Sequence, residues 1–152
     1  MVACCYGSLV VPVTYRIDAA EKIIRTNCSR PLTFQEVIGH FQTLRQDPAC
    51  RGTLDVVLDV SGADVLPDSS QLGGVKAELG AVREQVQFRI CSVVAGRDAM
   101  FGMMRIFEVF AGQYFQAIRV FRESAEAEEW LASQRAALGA GHEPATRSTP
   151  RP

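Results

Sequence analysis

The segment from Leu58 to Gly73, LDVSGADVLPDSSQLG, gathers three carboxylates and three hydroxyls: Asp59, Ser61, Asp64, Asp68, Ser69 and Ser70. Asp68 is placed to cap a helix, which sets Ser69 and Ser70 in the first helical turn. A phosphate on either serine would meet free backbone amides and the positive end of the helix dipole. Asp59, Asp64 and Asp68 would surround it. Three carboxylates can instead gather a divalent cation or stand solvated, and they repel a phosphate unless a kinase's Mg²⁺ screens them. The plainest use of Asp-Ser-Ser is the cap itself, since these are the default capping residues.

Other chemistries lack their residues. His40 and His142 are the only histidines. His40 falls at the edge of a buried helix face and His142 in a tail, so neither a Ser-His-Asp arrangement nor a zinc set can be assembled. Gly73-Gly74 lies at a helix start, and no G-x-G-x-x-G or P-loop follows a strand. The five cysteines (Cys4, Cys5, Cys28, Cys50 and Cys91) are odd in number and show no C-x-x-C spacing. Cys28 and Cys91 sit in apolar runs, as reduced thiols acting as small hydrophobes do. With no nucleophile–base pair, no metal site and no cofactor motif, an enzyme is not expected. Net charge is −1 and the basic residues are scattered, which argues against a nucleic-acid partner. No apolar run approaches the ~20 residues that span a bilayer, so membrane insertion is not expected. The expected location is the cytoplasm.

Positioning Asp59 to Ser70 takes a strand before them and a helix after them. Hydrophobic residues make up 47% of the 152-residue chain, enough for one domain with a buried core. Ser8–Ile17 and Glu21–Cys28 read as a hairpin, with Pro12 forcing an edge position or a late start. Thr33-Phe34-Gln35-Glu36 is a capping box opening helix 1, whose Phe34, Val37, Ile38, Phe41 and Leu44 share one face up to Asp47-Pro48. Leu54–Val60 is a short apolar strand. Helix 2 follows from about Asp68 to Gln85, then strand 4 (Phe88–Ala95), helix 3 (Ala99–Gly112), strand 5 (Gln116–Arg122) and helix 4 from Ser124. The order β-β-α-β-α-β-α-β-α implies an α/β domain with a mixed, mostly parallel five-stranded sheet and about four helices. The domain is expected over 10–137. Residues 1–9 read as an extension, with Val10 or Val11 as a possible native start, and 138–152 read as a disordered tail.

With the run Asp59-Val60-Ser61-Gly62, the Asp68-Ser69-Ser70 helix start and this element order, the sequence resembles the anti-sigma-factor antagonist (STAS, SpoIIAA-like) family over roughly 10–135. The close, Val120-Phe121-Arg122-Glu123-Ser124 through Glu129-Trp130-Leu131, is similar to its uncharacterised bacterial branch. The resemblance implies the SpoIIAA-like fold and a regulatory protein-interaction module. A partner kinase or anti-sigma-like protein would meet Asp59, Ser61, Asp64 and Asp68, and Ser69, or its neighbour Ser70, would be the phosphoacceptor. Two positions depart from the family pattern: Pro67 lengthens the Asp-to-Asp run by one residue, and Gln71 stands where the motif has Gly.

Helix 3 carries a different signal. Met100, Met103, Met104, Phe107, Phe110 and Ala111 cover one face and need only the sheet to explain them. Phe101 and Val109, near Arg105 and Glu108, fall outside that stripe and mark a possible interaction or self-association surface. The methionines and phenylalanines together would also suit a pocket for a small apolar ligand or lipid, the alternative to a regulatory module.

Overall fold

The chain was analysed as a computed structural model, which describes residues 12–63 and 68–141. Its elements are β1 (Val13–Asp18), β2 (Ile23–Ser29), α1 (Phe34–Gln46), β3 (Gly52–Gly62), α2 (Ser69–Val82), β4 (Val86–Val94), α3 (Asp98–Ala111), β5 (Ala117–Phe121) and α4 (Ser124–Gly141). The expected element order holds throughout. Pro12 has both of its anticipated effects: β1 begins one residue after it, and β1 is an edge strand. The Pro12 carbonyl still accepts from the Ser29 amide. α4 runs to Gly141, past the end of the expected domain, and brings Leu138 onto the sheet.

The strands lie in the order β1-β2-β3-β4-β5, with β1 antiparallel to β2 and the others parallel. Because each parallel crossover steps the same way across the sheet, right-handed connections put α1, α2 and α3 on one face. α4 follows the last strand and covers the other face, against β4 and β5. The larger core lies under the three helices, with Ile24, Leu54, Val75, Leu79, Val93, Met104 and Phe107 in it. A smaller core of Ile23, Val57, Ile90 and Leu131 lies under α4.

Two shifts of register aim side chains. Leu54 pairs with Phe88 and Val56 with Cys91, so β4 carries one extra residue, a bulge at Arg89-Ile90. The bulge turns the Arg89 side chain and the Ile90 amide together toward Asp55, which is 1% exposed on the α4 side. Arg89 donates to the Asp55 carboxylate at 3.1 and 3.0 Å and the Ile90 amide at 3.2 Å. Arg135 of α4 adds its Nε at 3.1 Å and also bonds the Glu21 carbonyl in the β1–β2 turn. One buried carboxylate thus ties β3, β4, α4 and the first hairpin together. Arg25 and Glu128 make a second tie from β2 to α4, at 2.7 and 3.3 Å. The other shift lies between β2 and β3, after Asn27 and Asp59. It brings Gly62 against β2, where a Cβ would stand 3.1 Å from the Cys28 carbonyl oxygen. A side chain there would push the two strands a few tenths of an ångström apart.

Candidate functional site

Asp59 ends the regular part of β3, half-buried, and its Oδ1 accepts from the Ser61 amide at 2.9 Å. Ser61 and Gly62 are exposed. Asp64 lies outside the described residues. Asp68 is extended (φ −87°, ψ 178°) and forms a full capping box: its Oδ1 accepts from the Gln71 amide at 2.9 Å, and the Gln71 Oε1 accepts from the Asp68 amide at 3.0 Å. The Ser70 hydroxyl donates to the same Asp68 oxygen at 3.1 Å. These bonds hold the Asp68 carboxyl below its ordinary range, the Gln71 amide first and the Ser70 hydroxyl second. Gln71, the departure from the family motif, is therefore the reciprocal half of the cap. Ser69 is the first helical residue, and its side chain lies outside those described. Asp59 and Asp68 serve separate turns, and no group of three or more metal-ligating side chains forms among the described residues.

On α3, Phe101 is half-buried under the Arg122 guanidinium, 4.3 Å from its ring centroid. Arg122 is itself fixed by Asp98 at 2.7 Å and the Gly96 carbonyl at 3.3 Å. Arg105 lies 3.1 Å from Glu108. Val109 is 81% exposed and Ile106 53%, the latter missed by the sequence reading. Phe101, Arg105 and Glu108 line a charged cleft of about 510 Å³ with Arg119 and Arg122 of the β5 end, whereas Val109 does not.

A further space was not anticipated at its place. Between the sheet and α1, α2 and α3 lies an apolar cavity of about 150 Å³. Ile24, Val56 and Leu58 form its floor, Val75 and Leu79 its roof, and Met100, Met104 and Phe107 one end. The α3 residues read as a possible greasy pocket are thus wall residues. At the α1–α2 seam Phe34 lies on the bare backbone of Gly74, where a Cβ would stand 2.8 Å from the Phe34 Cζ. The glycine lets the ring settle between the helices, beside Thr33, Gln71 and Leu72. The first turn of α2 is therefore both the capped Asp-Ser-Ser start and part of the cavity wall.

Two polar side chains face the cavity from its α1–β2 side. Thr26 is 3% exposed, and its Oγ1 lies 3.4 Å from the Nε2 of His40. The imidazole packs edge-on to Tyr15 and against Phe41, at centroid distances of 5.3 and 5.6 Å. Burial lowers the His40 pKa to about 4, so the ring is neutral at pH 7. Behind it the Tyr15 hydroxyl donates to Asp47 at 2.7 Å, and burial followed by that bond pushes the phenol up to about 12. Cys28 and Cys91 also line the cavity as buried thiols.

Comparison of the chain with protein-family models, with curated proteins and with solved structures finds no match. Among the described residues no helix is long and apolar enough to cross a membrane.

Proposed function

We propose that this chain is a non-enzymatic binding module that holds a small apolar ligand between its sheet and α1–α3. The cavity of about 150 Å³ carries this reading. An engineered apolar cavity of about the same size stays dry and binds benzene or xenon. Left empty, such a space leaves its apolar lining without partner atoms on one side, which disfavours the folded state. A bound apolar molecule restores the missing contacts. Native mass spectrometry after gentle purification tests the reading. A retained small molecule, released on denaturation, is expected. A clean apo mass, with no toluene taken up on addition, overturns it.

The second reading is a SpoIIAA-like regulatory module whose partner docks at the start of α2. Ser61, Asp68 and Ser70 are exposed there, which supports it. Because Gln71 and Leu72 of the same turn line the cavity, a ligand and a docked partner would feel one another. Phosphorylation at Ser69 would add charge at that contact. Ser69→Ala and Ser69→Glu variants that capture a serine kinase or anti-sigma-like partner as well as the wild type does would end this reading.

A further inference from the structure

Resting on the apolar-ligand reading above, we propose that the ligand is uncharged, about one ring in size, and carries a single hydrogen-bonding group that meets Thr26 and His40. Among the described residues, four side chains with hydrogen-bonding oxygen or nitrogen line the cavity: Thr26, Thr33, His40 and Gln71. In two of them the oxygen is engaged in a helix cap. The Thr33 hydroxyl oxygen accepts from the Glu36 amide at 3.2 Å, and the Gln71 carbonyl oxygen from the Asp68 amide at 3.0 Å. Among the described residues Thr26 and His40 have only each other as side-chain hydrogen-bonding partners, at 3.4 Å, beyond the usual range of such bonds.

A threonine hydroxyl offers one donor and two acceptor lone pairs, and a neutral imidazole one donor and one acceptor. The pair therefore keeps unused capacity on an otherwise greasy wall. A ligand hydroxyl, which both donates and accepts, matches it. Charge does not fit. Among the described residues no lysine or arginine lines the cavity, so a carboxylate there would be buried without a counter-ion. Burial also keeps His40 from supplying the missing positive charge, since its pKa is lowered to about 4. The size follows from the volume, which suits one six-membered ring. Phenol-like or alicyclic alcohols are the ligand class.

Calorimetric titration with toluene, phenol and benzoate at neutral pH tests this, using wild type, Thr26→Val and Thr26→Ser. The valine keeps the side-chain shape and removes the hydroxyl, and the serine restores it. In the wild type phenol and toluene both bind and benzoate does not. In Thr26→Val phenol weakens roughly 10-fold while toluene holds its affinity, and Thr26→Ser recovers most of the phenol affinity. Should phenol and toluene change in parallel, or toluene bind the wild type and phenol not, the polar anchor is wrong while the apolar-ligand reading survives. Benzoate binding as tight as phenol overturns the uncharged class. If neither toluene nor phenol binds the folded wild type, the cavity reading falls and the proposal with it.

Discussion

Replacing Asp55 with alanine is the sharpest test of how this fold is held. The carboxylate is 1% exposed and receives two bonds from Arg89, one from the Ile90 amide and the close approach of Arg135. Removing it leaves two guanidiniums facing each other, each side chain 27% exposed, and a buried amide without its acceptor. Breaking a buried ion pair costs ~3–5 kcal/mol, and because both guanidiniums keep part of their surface in water the lower end, ~3 kcal/mol, applies. In a domain of this size that is a fall in Tm of roughly 6–12 °C. Urea denaturation followed by circular dichroism measures it. Asp55→Asn should fall between, since the amide keeps an oxygen for Ile90 but turns an NH₂ toward an arginine. A double-mutant cycle with Arg135→Ala should show coupling of at least ~0.5 kcal/mol. An Asp55→Ala protein within ~1 kcal/mol of wild type would refute the network as the clamp between α4 and the sheet.

Three further outcomes follow from the geometry. Burial puts the folded-state His40 pKa at about 4, below the ordinary 6.5, so the unfolded chain binds more protons between those values. The stability contributed by the neutral ring is complete above pH 6.5 and is lost as pH falls toward 4, up to ~3 kcal/mol at about 1.4 kcal/mol per pH unit. His40→Gln should flatten that part of the stability–pH curve, and an unchanged curve would contradict the burial. Burial pushes Cys28 to about 12, Cys50 to about 11 and Cys91 above the ordinary thiol range, so iodoacetamide should leave all three unmodified in the native protein and alkylate them in denaturant. Peptide mapping reads this, and native labelling at Cys91 would be the contrary result. Gly74→Ala places a methyl where the Phe34 ring now lies and should displace the ring from the α1–α2 seam. Line-shape NMR should then show faster exchange of bound toluene, and unchanged exchange would deny Phe34 a part in closing the α1–α2 seam over the cavity.

Element order was legible because strand and helix periods differ and the punctuation was plain: Pro12 for β1, Thr33 for α1 (where the cap forms without the reciprocal Glu36 bond), Asp68 for α2. The Asp-Ser-Ser start was found as a helix cap, and the reciprocal part of Gln71 could have been read from its position three residues after Asp68. Asp55 was not singled out, because a lone acid in an apolar strand gains its partners only through the bulge at Arg89-Ile90, and a bulge leaves no mark in residue type. Cys50 was placed in no element by the sequence, and it is fully buried in the turn after α1. The cavity was half-legible. Met100, Met104 and Phe107 marked one wall, but the same stripe describes a filled core equally well. Whether helices close on a sheet or stand off it depends on their spacing, which residue types along one helix do not encode. Val109 was found as an exposed hydrophobe, while Ile106, which the sequence reading assigned to no face of α3, is exposed as well.

Toluene binding to wild type and to Val75→Phe decides whether the space under the three helices is a ligand site. Val75 forms part of its roof, and a phenyl ring at that position occupies the volume a ligand would take. Added toluene should raise the wild-type Tm in a saturable way, as a ligand specific to the folded state does, and leave the Tm of Val75→Phe where it was. Absence of any shift in wild type, or an equal shift in both proteins, would contradict the cavity as the binding site.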